Sequence, residues 1–311
     1  MNKLMFCLMG PTASGKTALA CELLNHFPVE IISVDSAMIY RGMNIGTAKP
    51  DLNTLVAAPH HLIDIRDPTD AYSAAEFCED VDLISQQIFS RSKIPLLVGG
   101  TMMYFRALQQ GLSVLPTADE QVRAALIQQA ERHGSAFMHQ ELGRVDPKAA
   151  ERIHPKDAQR IQRALEVFQI TNRPLSELLQ ADKRVVPYQF VNFSLVPDGR
   201  AWLHHRIALR FDELLSAGLI NEVDGLLQRF SLTEDNPSMR CVGYRQVIPF
   251  LRGEYDLETL RSKGIAATRQ LAKRQLTWLR HWPNAHVYAA ENPASQSEII
   301  AIMQQILDNP R

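Results

Sequence analysis

The sequence predicts an α/β fold, a parallel sheet flanked by helices, with an all-helical lobe inserted into it. Three observations carry that prediction. A glycine-rich turn at residues 10–17 follows directly on an apolar run at residues 4–9. Short apolar runs then alternate with amphipathic stretches to about residue 112, the pattern of strands joined by crossover helices. Beyond Pro116 the strand signals stop, and only helical periodicity continues to about residue 180.

The first run, Leu4-Met5-Phe6-Cys7-Leu8-Met9, is too short for a secretion signal and reads as the first strand. It runs into Gly10-Pro11-Thr12-Ala13-Ser14-Gly15-Lys16-Thr17, a phosphate-binding loop of the P-loop NTPase type. Glycines let the backbone curl so that several N–H groups point inward, and a helix starting at Gly15 adds the positive end of its dipole. Lys16 contributes a full charge, and Thr17 offers a hydroxyl to Mg²⁺. Val29, Ile31, Ile32 and Val34 form a second strand that closes at Asp35, and residues 61–65 read as a further short strand. Ser73 and Glu76 form a capping box opening a helix that runs to about Ser90. Ile94-Pro95-Leu96-Leu97-Val98 is another buried strand, ending in Gly99-Gly100-Thr101. A parallel sheet gathers ligands at the carboxyl ends of its strands, where the loop, Asp35 and Thr101 all lie.

A second capping box, Thr117-Ala118-Asp119-Glu120, opens the helical segment, in which Ile161, Leu165 and Phe168 share one face. Residues 188–196 have strand composition and return the chain to the core, after which helices dominate to the end, broken near Pro237 and Pro283. The division is therefore 1–116 and 188–311 for the α/β core with its C-terminal helices, and 117–187 for the inserted lobe.

The chain has 311 residues, 46% hydrophobic and 22% charged, with a net charge of −1, so any basic surface is local. Cys7, Cys21, Cys78 and Cys241 are widely spaced, which argues against a zinc site or a disulfide framework and suits a reducing cytoplasm. No apolar stretch approaches a membrane span.

Several residues could carry chemistry. Asp35 is a general base or a metal-shell ligand beside a bound anion, or else a helix N-cap. The second carboxylate that many nucleotide hydrolases place at a later strand end is missing, because Val98 runs into Gly99-Gly100-Thr101. That weakens a motor or switch reading and leaves open a transferase that excludes water. Between Thr259 and His281 stand Arg261, Lys263, Arg269, Lys273, Arg274 and Arg280 without one acidic residue. Such a helix presents cations to a phosphate backbone, or is a solvated face. Arg240-Cys241-Val242-Gly243-Tyr244-Arg245 couples guanidinium groups to an aromatic ring, as for an unstacked base, or starts a helix after Pro237. Gln159-Arg160-Ile161-Gln162-Arg163 touches phosphate or is an exposed helix face. His60 and His61, without acidic or cysteine partners at metal spacing, read as structural.

Together these segments resemble the bacterial tRNA dimethylallyltransferases. The resemblance rests on residues 10–17, Ser-Val-Asp-Ser at 33–36, Gly-Thr-Ala-Lys-Pro at 46–50, Leu-Val-Gly-Gly-Thr at 97–101, Arg-Cys-Val-Gly-Tyr-Arg at 240–245 and Lys-Arg-Gln-Leu-Thr-Trp-Leu-Arg at 273–280. It spans nearly the whole chain, and the zinc finger often added in eukaryotic members is missing. The resemblance implies a monomeric cytoplasmic enzyme that moves a dimethylallyl group from dimethylallyl diphosphate to N6 of the adenosine 3′ to the anticodon of tRNA. It implies that residues 12–17 hold the donor diphosphate with Mg²⁺, where a kinase holds ATP. Asp35 would then be the general base, with Ser36, Ala37 and Met38 lining the adenine, Thr101 positioning substrate and Arg210 binding pyrophosphate. Arg123, residues 159–163 (Gln159 to Arg163), residues 240–245 (Arg240 to Arg245) and residues 273–280 (Lys273, Arg274, Gln275, Leu276, Thr277, Trp278, Leu279 and Arg280) correspond to tRNA contacts. A small-molecule kinase and a non-catalytic RNA-binding protein are the competing readings.

Overall fold

A computed structural model describes residues 3–113, 115–180 and 186–309. Strand β1 (Lys3–Met9) leads through the phosphate loop into α1 (Lys16–His26), then β2 (Val29–Val34), α2 (Leu52–Ala57) and the two-residue β3 (His60–His61). Next come α3 (Ala74–Ser90), β4 (Ile94–Gly99) and α4 (Met102–Gln110). Four helices follow: α5 (Glu120–Val145), α6 (Pro147–Arg152), α7 (Ala158–Thr171) and α8 (Leu175–Leu178). Strand β5 (Tyr188–Val196) precedes α9 (Arg200–Ser216), α10 (Leu219–Arg229), α11 (Tyr244–Leu251) and α12 (Leu257–Leu279), and β6 (Ala285–Ala289) and α13 (Ala294–Asp308) finish the chain.

The six strands form one sheet in the order β3-β2-β4-β1-β5-β6, and every pairing is parallel. Crossover helices cover a parallel sheet on both faces, so its central strand has no polar side to show. In β1, Met5 through Met9 are accordingly all sealed from solvent. Full burial of one such side chain stabilises the fold by roughly 1.5–3 kcal/mol. Phe6 and Leu8 pack in one cluster with Leu19 and Leu23 of α1 and Ile299 and Met303 of α13. A second cluster joins Ile207 and Phe211 of α9, Val223 of α10, Val247 of α11 and Leu260 and Ala272 of α12 to Ile39, Tyr40 and Met43, which follow β2.

The chain divides into two compact units, residues 1–109 with 187–311 and residues 110–186. The inserted unit begins somewhat earlier than the change of texture at Pro116 suggests. It has its own core, built from Leu126, Met138 and Leu142 of α5, Ala149 of α6, Ile161 and Leu165 of α7 and Leu178 of α8. Helix α5 is broken at Gly134, whose backbone leaves helical geometry (φ 80°, ψ 167°).

The capping box at Ser73 and Glu76 forms as expected, with both reciprocal bonds present. Three local expectations need correction. The helix expected from a capping box at Thr117 is capped instead by Asp119, whose carboxylate accepts from Gln121 and Val122 N–H, a closer and charged acceptor. The strand expected over residues 61–65 stops at His61, because Leu62 and Asp64 take positive φ and turn the backbone away. The helical ending conceals β6, a short edge strand with Val287 exposed, which lacks the apolar run that marks a buried strand.

Candidate active site at the carboxyl ends of three strands

Strands β2, β4 and β1 lie side by side and end in Asp35, Thr101 and the phosphate loop. Parallel pairing brings residues far apart in sequence to one edge, the usual place for ligands in such sheets. Between β1 and α1 the chain must curl through nearly a full circle. Gly15 takes φ +90°, with no side chain to object, and caps α1 from that left-handed position. Ala13 also takes positive φ, at 65°, a strain that the surrounding loop has to hold.

The loop is lined by cations. Lys16 folds back over it, its Nζ donating to the Pro11 carbonyl at 2.6 Å and the Ser14 hydroxyl at 3.4 Å. Burial pushes its ammonium down to about 7, the neighbouring Arg210 cation adds to that shift, and Asp35 opposes it. Arg210 is itself held below the usual guanidinium value by burial, while Asp35 and Glu213 pull it back. Two half-buried cations that repel one another are suited to an anion between them. The Thr17 hydroxyl lies exposed on the first turn of α1.

Asp35 is partly open, and its Oδ1 accepts from Ala37 N–H at 2.8 Å and Met38 N–H at 3.2 Å. No helix follows β2 directly, so the N-cap reading fails; the carboxylate pins a turn with one oxygen. Among the described residues, its Oδ2 has no hydrogen-bond partner. Thr101 accepts from Ser36 N–H at 3.1 Å, and its own N–H donates to the Val34 carbonyl at 3.2 Å. These bonds tie the ends of β2 and β4 together. Ser36 is exposed, while Ala37 and Met38 are half-buried beside it.

The RNA-contact set expected from sequence divides. On α12, Lys273, Arg274, Thr277 and Arg280 are exposed, and the exposed Trp278 ring lies under the Arg106 guanidinium at 5.6 Å. Arg240 and Arg245 are exposed, and Cys241 and Val242 are half-buried. In the inserted unit Gln159 and Arg160 are exposed, and Gln162 is half-buried. Arg123 and Arg163 converge on the buried carboxylate of Glu166, at 2.8 and 2.6 Å. Burial works to raise the Glu166 carboxyl, but hydrogen bonds from Arg163 and Arg123 outweigh it and hold the group below its ordinary value.

Ile161, Gly243, Tyr244, Gln275 and Leu279 are buried, contrary to the surface placement expected of a tRNA contact. A continuous helical segment turns by about 100° per residue, so its members cannot all present one face to a ligand. The Tyr244 hydroxyl instead donates to Glu222, and the same Glu222 carboxylate accepts the backbone N–H groups of Asn44, Ile45 and Gly46 at 2.7–3.0 Å. Next to it, the almost fully buried Lys49 donates to the Tyr40 carbonyl, Asn44 and Asp64. His61 bonds Glu30 and His60 meets the Ala58 carbonyl, so both histidines are structural as expected.

One site residue, Arg206, escapes the sequence reading, and Gln275, expected as a tRNA contact, meets backbone of the site instead. Arg206 donates its Nε to the Ala13 carbonyl at 2.9 Å and stacks its guanidinium on Trp202 at 5.0 Å. It sits one helical turn before Arg210, a spacing that could have flagged it. Gln275 accepts from Thr12 N–H at 2.9 Å and donates to the Gly100 carbonyl at 3.0 Å. No local signal points to those contacts, since both partners come from the other end of the chain.

A phosphate loop, a carboxylate with one available oxygen and a flanking threonine, without a nucleotide hydrolase's second acidic strand end, define a group transferase built on the P-loop fold. The IPP transferase family model matches residues 38–282, and the chain belongs to that family. It is 60% identical over 309 residues to a tRNA dimethylallyltransferase of Legionella pneumophila, covering 99% of each chain. The full-length tRNA isopentenylpyrophosphate transferase of Bacillus halodurans superposes with a TM-score of 0.72 at 34% identity, covering 99% of this chain and 97% of that one. A eukaryotic dimethylallyltransferase captured acting on tRNA gives a TM-score of 0.81 at 25% identity, covering 98% of this chain and 78% of that one.

Proposed function

We propose that this chain transfers a dimethylallyl group from dimethylallyl diphosphate to N6 of adenosine 37, immediately 3′ to the anticodon, in tRNAs that read codons beginning with U. The observation that carries this reading is the sharing of one sheet edge by Asp35, Thr101 and the cation-lined loop. In the reaction the carbon–oxygen bond of the donor breaks and its electron pair leaves on diphosphate. The N6 lone pair forms the new carbon–nitrogen bond, and the N6 proton passes to Asp35.

Each residue answers one demand of that step. The leaving diphosphate gathers negative charge, which the neighbouring cations Lys16 and Arg210 would receive. An adenine amine is a poor nucleophile because its lone pair is delocalised into the ring. The open Oδ2 of Asp35, held by the Oδ1 bonds to Ala37 and Met38, takes its proton at the right moment. Thr101 fixes the opposite wall of the base pocket through Ser36. The adenine has to leave the anticodon stack to arrive here, at a cost of a few kcal/mol that phosphate contacts and stacking elsewhere offset.

No group of three or more His, Cys, Asp or Glu side chains suited to a metal occurs among the described residues. The Thr17 hydroxyl is nonetheless a hard oxygen donor, and Mg²⁺ beside phosphates takes few protein ligands. Bound there, Mg²⁺ would neutralise charge on the diphosphate. None of the described helices is long and apolar enough to cross a membrane, and we read the chain as a monomeric enzyme of the cytoplasm.

The test is incubation with dimethylallyl diphosphate, Mg²⁺ and unmodified tRNA, followed by mass analysis of the nucleosides. Dimethylallyladenosine at one position 3′ to the anticodon is the expected product. ATP turnover without prenylation would favour a kinase instead.

A further inference from the structure

Helix α12 turns its cations outward and one polar side chain inward. Gln275 is only 9% exposed, and both ends of its amide are engaged by backbone from the two halves of the site. Its Oε1 accepts from Thr12 N–H in the phosphate loop, at 2.9 Å. Its Nε2 donates to the carbonyl of Gly100, next to Thr101, at 3.0 Å. The approach is close: a Cβ at residue 100 would stand 2.3 Å from Nε2, so a side chain there would push the Gln275 amide away. A planar amide carries a donor at one end and an acceptor at the other, so it can join an N–H and a C=O at a fixed separation.

We propose that Gln275 is a positioning residue for the transfer: it sets the spacing between the loop that takes the leaving diphosphate and the Gly100–Thr101 turn that holds the acceptor base. The assignment rests on the reading of those two segments given above. The reacting nitrogen and carbon need to stand about 3–3.5 Å apart, and a misplacement of about 1 Å can cost on the order of 100-fold in rate. A loop curled through positive φ at Ala13 and Gly15 has no secondary structure of its own to keep that spacing. Hydrogen bonds from a buried side chain supply it. The same helix exposes Lys273 and Arg274, two residues and one residue before Gln275. Polyanion binding on the outer face of α12 and donor geometry on its inner face therefore share one rigid element.

The test uses the full chain, with active sites counted by single-turnover burst so that misfolded protein does not enter the rate. Gln275→Met keeps the volume and removes both bonds; Gln275→Glu keeps the acceptor for Thr12 N–H and loses the donor to Gly100. Leu260→Val trims the buried part of the same helix far from the loop and serves as a control for general loosening. Gln275→Met should lower single-turnover kcat by about 10–100-fold, with tRNA Kd within about twofold of wild type. Gln275→Glu should fall between the two, and Leu260→Val should keep the wild-type kcat. An unchanged kcat in Gln275→Met, or an equal loss in Leu260→Val, overturns the proposal. So does a weakened tRNA Kd with kcat restored at saturating tRNA, which would make Gln275 an RNA contact. If wild-type protein fails to bind dimethylallyl diphosphate, the reading of the loop fails instead, and the two failures are told apart.

Discussion

Lys16 is the residue whose charge state an incoming anion changes most directly. Burial and Arg210 hold its ammonium near 7. A bound diphosphate favours the charged form and raises that value, so donor binding takes up a proton at any pH between about 7 and the new pKa. Affinity for diphosphate should therefore fall as pH rises above about 7. Calorimetry at pH 8 in buffers of different ionisation enthalpy should reveal the uptake, and Lys16→Ala should abolish it and weaken donor binding. Stability responds to the same shift. The folded value lies below the unfolded one, so the unfolded chain binds more protons between about 7 and 10.5, and the protein without donor gains stability from this group as pH climbs through that window. Asp35 makes a different prediction. Asp35→Asn can still accept the Ala37 and Met38 N–H groups, but it cannot take the N6 proton. Its kcat should fall by about 10²–10⁴-fold with tRNA affinity retained, the usual range for loss of a general base. Equal kcat in single turnover would remove Asp35 from the chemistry.

Elements, rather than residues, explain why motif segments quoted together do different work. The segment 240–245 leads into α11, and its aromatic member donates to a carboxylate. Glu222 of α10 gathers three consecutive N–H groups of residues 44–46 and the Tyr244 hydroxyl. Glu222→Ala would leave those donors without their acceptor, and unpaired buried donors cost about 1–3 kcal/mol each before water relieves some of them. A loss of roughly 2–4 kcal/mol in urea unfolding is the expected result, and a loss under about 0.5 kcal/mol would show that the loop does not depend on it. Helix α12 makes the complementary prediction on its outer face. Replacing Lys273, Arg274 and Arg280 together should weaken tRNA binding and flatten its dependence on log salt by about 0.7–0.9 for each phosphate no longer neutralised. An unchanged slope would take the helix out of the interface.

At the scale of the whole molecule, the order β3-β2-β4-β1-β5-β6 is what builds the site. Because β4 lies between β1 and β2, Thr101 is placed between the phosphate loop and the Asp35 carboxylate. Every residue assigned to the diphosphate lies within the unit of residues 1–109 and 187–311, and the inserted unit of residues 110–186 carries its own core. A version with residues 112–186 replaced by a short flexible linker should therefore bind diphosphate within about threefold of the full chain. If Arg123, Arg160 and Arg163 contact tRNA, the same version should bind it more weakly, and tRNA affinity read alongside diphosphate affinity checks both halves of that statement.

How much was legible in the sequence follows from the range of the interactions involved. The phosphate loop, the carboxylate at the end of β2, the capping box at Ser73 and the returning strand at residues 188–196 depend on neighbours a few residues apart. Local patterns of glycine, apolar period and capping chemistry determine them, and they stand in the structure where the pattern put them. The pattern also placed the basic helix, but not which way each side chain on it points. Only the tertiary structure decided that Gln275 reaches Thr12, 263 residues away, and that Glu222 reaches Asn44, 178 residues away. The inward turn of Tyr244 and the pairing of β6 onto the sheet edge were settled in the same way. The physical reason is that a buried polar group takes whichever complementary partner the packed core delivers to it, and no periodicity along the chain encodes that meeting.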